Sequence, residues 1–86
     1  MALSEMHERY EQLVNEEDSF ILKLEACELA KNALFDMMYR SEQEPDTATM
    51  EEILKAIHAI DQRLQAKLLE LRLEKKRLAR KIKTLA

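Results

Sequence analysis

The 86-residue sequence contains no glycine and only one proline, Pro45, close to the middle of the chain. Because glycine and proline shape the turns between strands and end helices, their scarcity excludes a fold made of many short strands. Tryptophan is also absent, and the composition is dominated by the strong helix formers Ala, Leu, Glu, Lys, Arg and Met. The sequence therefore predicts an all-α protein with two long helices and one turn.

Long apolar runs and paired cysteines are missing as well. The longest apolar runs reach only a few residues, as at 20–22, whereas a membrane span needs about 20. Residues 1–12 lack the basic start and apolar core of a signal peptide. Cys27 is the only cysteine, so an intramolecular disulfide is excluded and we expect a buried, unreactive thiol. These features predict a cytoplasmic protein with no membrane segment.

Apolar residues recur at every seventh position in both halves of the chain, which is typical of helices that pack along a seam. In the first half they are Met6, Leu13, Phe20, Cys27 and Leu34, flanked by Leu3, Tyr10, Leu24 and Met38. In the second half they are Met50, Ile57, Leu64, Leu71, Leu78 and Leu85. We predict a single antiparallel, coiled-coil-like helical hairpin, with helices over about 4–40 and 49–85 and a polar turn over about 41–48.

Two finer features are predicted for the second helix. Thr49 followed by Glu52 matches a capping box, in which the hydroxyl and the carboxylate accept hydrogen bonds from N–H groups at a helix start. An apolar stripe that includes Ile53, Ile60 and Leu68 contains two successive four-residue steps, which indicates a stutter in the seven-residue repeat.

Charge is divided unevenly along the chain. Residues 1–52 carry 14 acidic and 4 basic side chains, whereas residues 53–86 carry 3 acidic and 10 basic ones. An antiparallel hairpin places the basic end of the second helix beside the acidic start of the first. The acidic residues expected there are Glu5, Glu8, Glu11, Glu16, Glu17 and Asp18.

The charges that interrupt the apolar stripes predict the register of the two helices. If residue i lies beside residue 92 − i, Glu17 meets Lys75 and Lys31 meets Asp61. Exposed ion pairs contribute only about 0.2–1 kcal/mol each, so we expect them to set the register while apolar burial supplies the stability. The residues predicted to pair the helices are Leu24, Leu64, Leu68, Leu71, Leu78 and Ile82.

Further apolar residues lie away from this seam. Val14 and Ile21 in the first helix, and Leu69 and Leu73 in the second, are the candidates for a second interface. A helix that is apolar over more than one narrow face needs more than one neighbour. The favoured arrangement is a homodimer of hairpins forming a four-helix bundle. A partner protein that presents an amphipathic helix, or a hairpin that stands alone, remains an alternative.

The sequence carries no recognisable catalytic, cofactor or metal-binding motif. It lacks a glycine-rich phosphate loop and a nucleophile elbow, and His7 and His58 are too far apart to suggest a metal site. The stretch IHAIDQRLQAKLLELR (57–72) is similar to the opening helix of the helical chorismate mutases. The two later helices that carry catalytic side chains in that family have no counterpart here. We expect a non-enzymatic protein without a cofactor or a metal.

The basic run LLELRLEKKRLARKIKTLA (68–86) raises the alternative of nucleic-acid binding. Basic zipper proteins place their basic region before the leucines, whereas here the basic residues lie among them. The chain as a whole is acidic, with an isoelectric point of about 5.4, and only four aromatic residues are present to stack on bases. We therefore interpret the basic run as half of a charge match within the hairpin.

Two stretches, YEQLVNEEDSFILKL (10–24) and LLELRLEKKRLARKI (68–82), resemble the small flagellar export chaperones of the FliT type. The resemblance implies a cytoplasmic chaperone that keeps an amphipathic helix of an export substrate soluble and offers it an apolar groove. The residues by themselves predict a protein–protein interaction module. A purely structural oligomerisation module is the alternative.

Overall fold

The computed structural model describes residues 2–40 and 46–85, which form two helices and no strand. Helix α1 spans Leu3–Arg40 and helix α2 spans Thr47–Leu85. They pack against each other as a thin rod of 63 × 16 × 14 Å. The predicted all-α antiparallel hairpin is confirmed. Residues 41–45 of the predicted turn lie outside the described residues.

Asp46 caps the start of α2. Its carboxylate accepts hydrogen bonds from the backbone N–H of Ala48 at 3.1 Å and from the hydroxyl of Thr49 at 3.0 Å. Its carbonyl accepts the first helical hydrogen bond, from the N–H of Met50, at 3.0 Å. The predicted capping box at Thr49 and Glu52 is therefore wrong, because the helix has already begun when it reaches Thr49. Aspartate is among the residues that best satisfy these first N–H groups.

The seam of α2 follows a strict seven-residue repeat, and the predicted stutter is wrong. Ile53 and Ile60 are 40% and 43% exposed, whereas Leu54 and Asp61 are partly buried. Asp61 takes a seam position because it meets Lys31 of α1 there, at 3.6 Å. The seam residues are Met50, Leu54, Ile57, Asp61, Leu64, Leu68, Leu71, Lys75, Leu78 and Ile82.

The best-packed part of the seam lies far from the turn. Leu13 is fully buried, and it packs with Met6 and Leu78, which are 5% and 7% exposed. Tyr10, Leu71 and Ile82 cover the edge of this cluster. Burying a leucine side chain contributes about 1.5–3 kcal/mol, so this cluster is a major source of stability in the hairpin. Among the other residues predicted to pair the helices, Leu64 and Leu68 are buried and Leu24 is partly buried.

Candidate interaction surface

The two charge pairs predicted from the sequence are in contact in the structure. Lys75 Nζ lies 3.1 Å from Glu17 Oε1, and Lys31 Nζ lies 3.6 Å from Asp61 Oδ2. Each pair joins the two helices at a seam position. Each pair therefore fixes the register of α1 against α2, because sliding either helix by one turn would separate both pairs.

Glu17 is the most strongly bonded charge at the seam. Lys75 donates to both of its carboxylate oxygens, at 3.1 and 3.2 Å, and Arg72 Nε donates to Oε2 at 3.2 Å. Only 15% of the Glu17 side chain is exposed. The hydrogen bond from Lys75 is the main cause that lowers the pKa of Glu17, and partial burial acts in the opposite direction.

Lys31 has carboxylates from both helices around it. Its ammonium group lies 3.3 Å from Glu28 on its own helix and 3.6 Å from Asp61 on α2. Hydrogen bonding to Glu28 is the largest cause that raises the pKa of Lys31, and Asp61 adds to it. Gln65 also donates weakly to Asp61, at 3.5 Å. This second ion-pair site lies nearer the turn than Glu17 does.

One ion pair between the helices was not predicted from the sequence. Arg9 donates to the Glu74 carboxylate from Nε at 3.2 Å and from a terminal guanidinium nitrogen at 3.1 Å. Arg9 is a base in the acidic half of the chain and Glu74 an acid in the basic half, so overall charge balance conceals the pair. The available signal is positional, because each residue directly precedes a seam residue, Tyr10 or Lys75. Such positions face each other in paired helices.

At the end of the hairpin away from the turn, which we call the open end, the predicted pairing of acidic residues of α1 with basic residues of α2 is largely wrong. Of the acidic residues expected beside the basic end of α2, Glu17 is the one that pairs with α2 within residues 2–40 and 46–85. Glu16 lies 3.6 Å from Arg9 of its own helix. The other acidic residues occupy positions away from the seam, where their side chains extend to solvent. Much of the basic charge of α2 is therefore not neutralised within the hairpin.

The hairpin leaves many of its large apolar side chains exposed. Among the described residues, six hydrophobic side chains are buried and twelve large ones are exposed. The exposed ones are Leu3, Leu22, Leu29, Phe35, Met37, Met38, Tyr39, Ile53, Ile60, Leu69, Leu73 and Leu85. Single exposed apolar residues are ordinary, but so large a set on a thin rod is typical of an interaction surface.

Two shallow grooves lie along one side of the hairpin. One, of about 550 Å³, is lined by Leu24 of α1 and by Gln65, Ala66, Leu68, Leu69 and Arg72 of α2. The other, of about 560 Å³, continues toward the open end and is lined by Tyr10 of α1 and by Leu73, Lys75, Lys76, Arg77, Ala79, Arg80 and Lys83 of α2. Their residues on α2 lie mainly one or four positions after seam residues. We call this side of the hairpin the groove face.

The candidates for a second interface all lie on the groove face. Leu69 and Leu73 line the grooves directly and are 59% and 47% exposed. Val14 and Ile21 are partly buried. They follow seam residues of α1 by four positions, as Arg72 does on α2. Equivalent positions of two antiparallel helices lie on the same side of the pair, so α1 adds Val14 and Ile21 to the surface that Leu69 begins.

Other exposed apolar residues lie on the opposite side of the hairpin. Nine residues separate Ile60 from Leu69, which amounts to about 180° around an α-helix. Ile53 and Met37 each directly precede a seam residue, as Arg9 and Glu74 do, and so share the side of Ile60. The side that carries Ile53 and Ile60 is a second apolar surface, although the sequence pattern predicts these two residues in the seam.

In the part of the chain that the structure describes, no group of three or more His, Cys, Asp or Glu side chains is arranged to hold a metal ion. Neither α1 nor α2 contains a stretch apolar enough to cross a bilayer. No protein-family model, curated protein or solved structure is significantly similar to this chain. By its architecture, the chain is an antiparallel two-helix hairpin of coiled-coil type with an uncovered groove face.

Proposed function

We propose that this protein is a non-enzymatic protein–protein interaction module that buries its groove face against another helical surface. That surface belongs either to a second copy, giving a homodimeric four-helix bundle, or to an amphipathic helix of a partner. The observation that carries the proposal is the exposure of Leu69 and Leu73, which line the two grooves of the groove face. A groove with an apolar floor and polar rims is the usual docking site for an amphipathic helix.

In the cell, we propose that this interaction module acts as a chaperone or adaptor in the cytoplasm. An export chaperone of the type that the sequence resembles would need an apolar groove long enough for several helical turns. The groove face has residues spaced for that purpose, from Gln65 to Lys83 along α2. A lone cysteine, Cys27, fits a reducing compartment.

The test compares two double variants with the same chemistry on opposite sides of the hairpin. Leu69→Gln with Leu73→Gln removes apolar groups from the groove face. Ile53→Gln with Ile60→Gln removes similar groups from the other side. The wild type and both variants are immobilised and exposed first to the labelled chain itself and then to an extract of the source cell.

We expect binding to be lost only in the groove-face variant, because only that variant alters the docking surface. Circular dichroism provides the control, since all three proteins should be equally helical. Equal binding by the wild type and the groove-face variant would rule out the proposed function. Binding of the labelled chain alone, with nothing specific from the extract, would favour the alternative of a purely structural oligomerisation module.

Nucleic-acid binding is a second candidate function, and one observation favours it. The groove at the open end is lined by five basic side chains together with Tyr10, and the basic ones are Lys75, Lys76, Arg77, Arg80 and Lys83. Fluorescence anisotropy with single- and double-stranded oligonucleotides tests this function. Binding that weakens steeply between 50 and 200 mM salt (roughly tenfold or more) would support it, and absence of binding at about 50 mM would dismiss it.

A further inference from the structure

We propose that a second copy of this chain occupies the groove face, stacked so that α1 of each copy lies on α2 of the other. In this dimer both turns lie at the same end of the four-helix bundle. The proposal rests on the proposed function and names the occupant and its orientation. It follows from the signs of the charges on the groove face and from the area that the hairpin exposes.

Charges of opposite sign are separated between the two helices on the groove face. The positions that face outward on this side are those one and four residues after the seam residues. On α1 the charged residues at these positions are Glu11, Asp18, Glu25 and Glu28. On α2 they are Glu51, Lys55, Arg72, Lys76 and Lys83. The groove face therefore has an acidic wall on α1 and a basic wall on α2, with Glu51 at the turn end of α2 as the exception.

The opposite side of the hairpin lacks this separation. On α1 it carries Arg9 and Lys23 as well as Glu16, and on α2 it carries Glu74 as well as Lys67. Arg9 and Glu74 already pair with each other across the two helices. A surface of mixed sign gives a second copy no preferred orientation, whereas a surface with one acidic and one basic wall does.

Two antiparallel hairpins can stack through one face with two-fold symmetry in two simple ways. If the axis runs across the helices, α1 lies on α1 and α2 on α2, so the acidic walls meet and the basic walls meet. If the axis runs along the helices, each acidic wall lies on a basic wall. Like charges held close together are destabilising, so the second arrangement is the favoured one.

The register of the hairpin carries over to this dimer, because rotation about an axis along the rod leaves heights unchanged. A residue of α1 then lies level with the same α2 residue of the other copy as in its own chain. Asp18 comes within about 3 Å in height of both Arg72 and Lys76 of the other copy, and Ile21 within about 3 Å of Leu69. Among the residues that the structure describes, some acidic residues of α1 have no partner on α2 of their own chain. In the dimer they face the basic residues on α2 of the other copy.

The exposed area of the hairpin suits an interface of this size. Its accessible surface is 6891 Å² for a chain of 10.1 kDa. A compact monomer of that mass exposes about 5,300 Å², so the hairpin exposes about 1,600 Å² more. A standard stable interface buries about 800 Å² on each partner. One face of the rod can supply this area and leave the side of Ile60 open.

Distances between spin labels at the two turns distinguish the arrangements. Thr47→Cys in a Cys27→Ala background places a single label at the turn end of each chain, and Thr84→Cys in the same background labels the open end. In the proposed dimer both label pairs are separated by about 20–35 Å, which is the width of a four-helix bundle plus the label arms. With the axis across the helices, both distances approach the 63 Å length of the rod.

Each outcome of the pulsed electron paramagnetic resonance measurement is decisive. Short distances at both sites support the proposal. Long distances at both sites overturn the orientation but leave the proposed function intact, because a dimer has still formed. Absence of any interchain distance at about 100 μM overturns the second copy as occupant. The docking function then depends on whether the groove-face variant loses a partner from the cell extract. Circular dichroism verifies that each labelled variant is folded.

A charge exchange supplies an independent readout. Asp18→Lys should weaken the dimer at least about fivefold, because two symmetry-related ion pairs of about 0.5 kcal/mol each are lost. Adding Lys76→Asp should restore the wild-type dissociation constant if these residues meet across the dimer. Weakening in the double variant beyond that of either single variant would contradict the proposed orientation.

Discussion

The half of the hairpin near its open end and the half near its turn use their apolar residues differently. The open half (residues 3–21 and 66–85) contains four of the six buried hydrophobic residues among those described, including Leu13. The turn half (residues 22–40 and 47–65) contains eight of the twelve exposed large ones, including Phe35 and Tyr39. Position relative to the seam, and not apolar content, decides which half is well packed.

The difference arises from where charges interrupt the seam. In the turn half, Lys31 and Asp61 both occupy seam positions, while the apolar residues beside them fall outside it. In the open half the interruption by Glu17 and Lys75 is followed by an uninterrupted apolar cluster around Leu13. The open half therefore contributes more to the stability of the hairpin, and the turn half leaves more of its large apolar side chains exposed.

The largest expected effect comes from placing charge in the seam of the open half. Replacing Leu68 and Leu71 together with Asp should unfold the hairpin, because buried charge without a partner is costly. Replacing Leu69 and Leu73 together with Asp is the matched control, since these residues lie outside the seam and the helices should persist. Circular dichroism at 222 nm measures both variants. Full helicity and an unchanged melting midpoint in the first variant would show that the seam is misplaced.

The comparison of the two halves predicts unequal effects for two similar truncations. Leu13→Ala should lower the free energy of unfolding by about 3–4 kcal/mol, because Leu13 is fully buried and a cavity remains. Leu34→Ala, at the equivalent repeat position in the turn half, should lower it by about 1–2 kcal/mol because Leu34 is only partly buried. Urea unfolding at one fixed protein concentration measures both. Equal losses would abolish the distinction between the halves.

A change at the turn tests how α2 begins. Asp46→Ala should lower the free energy of unfolding by about 1 kcal/mol, because the N–H of Ala48 loses its acceptor. Glu52→Ala should have little effect, since the capping box predicted there does not form. Urea unfolding measures both variants, and a larger loss for Glu52→Ala would reinstate the capping box.

The smallest effect concerns the acid dependence contributed by Glu17. Its pKa lies below the ordinary value of 4.5, so the unfolded chain binds this proton more readily than the folded one. The stability that Glu17 contributes is therefore present above pH 4.5 and is lost as the pH falls through the lowered pKa. Glu17→Gln should remove this part of the acid dependence, and Lys75→Gln should reduce it by removing the main hydrogen-bond donor. Unfolding curves collected between pH 6 and 3 would contradict this if all three proteins had the same slope.

The sequence alone was enough to predict the hairpin, because absent glycine, a central proline and a seven-residue repeat each limit the fold strongly. It also predicted the contacts of Glu17 with Lys75 and of Lys31 with Asp61. The repeat in one helix cannot show which of two adjacent residues enters the seam. The apolar pattern predicts Ile60 in the seam rather than Asp61. In the structure Asp61 occupies the seam because it pairs there with a lysine of the other helix.

The sequence alone could not predict which charges remain unpaired within the hairpin, for a related reason. Adding up charge over each half of the chain predicted a general match, whereas side-chain direction decides which charges meet. Glu11 and Asp18 point to the groove face, and Arg9 and Glu74 meet on the other side. The separation of sign on the groove face becomes visible only after the structure establishes the seam and therefore the positions beside it.

Sedimentation equilibrium of the intact chain tests the central claim, that the groove face is covered by another helical surface of its own kind. The account predicts a mass of about 20 kDa for the wild type at micromolar concentration, twice the 10.1 kDa of one chain. Leu69→Gln with Leu73→Gln should sediment as a helical monomer, and Ile53→Gln with Ile60→Gln should remain a dimer. A wild-type chain that stays folded and monomeric at these concentrations would contradict the account.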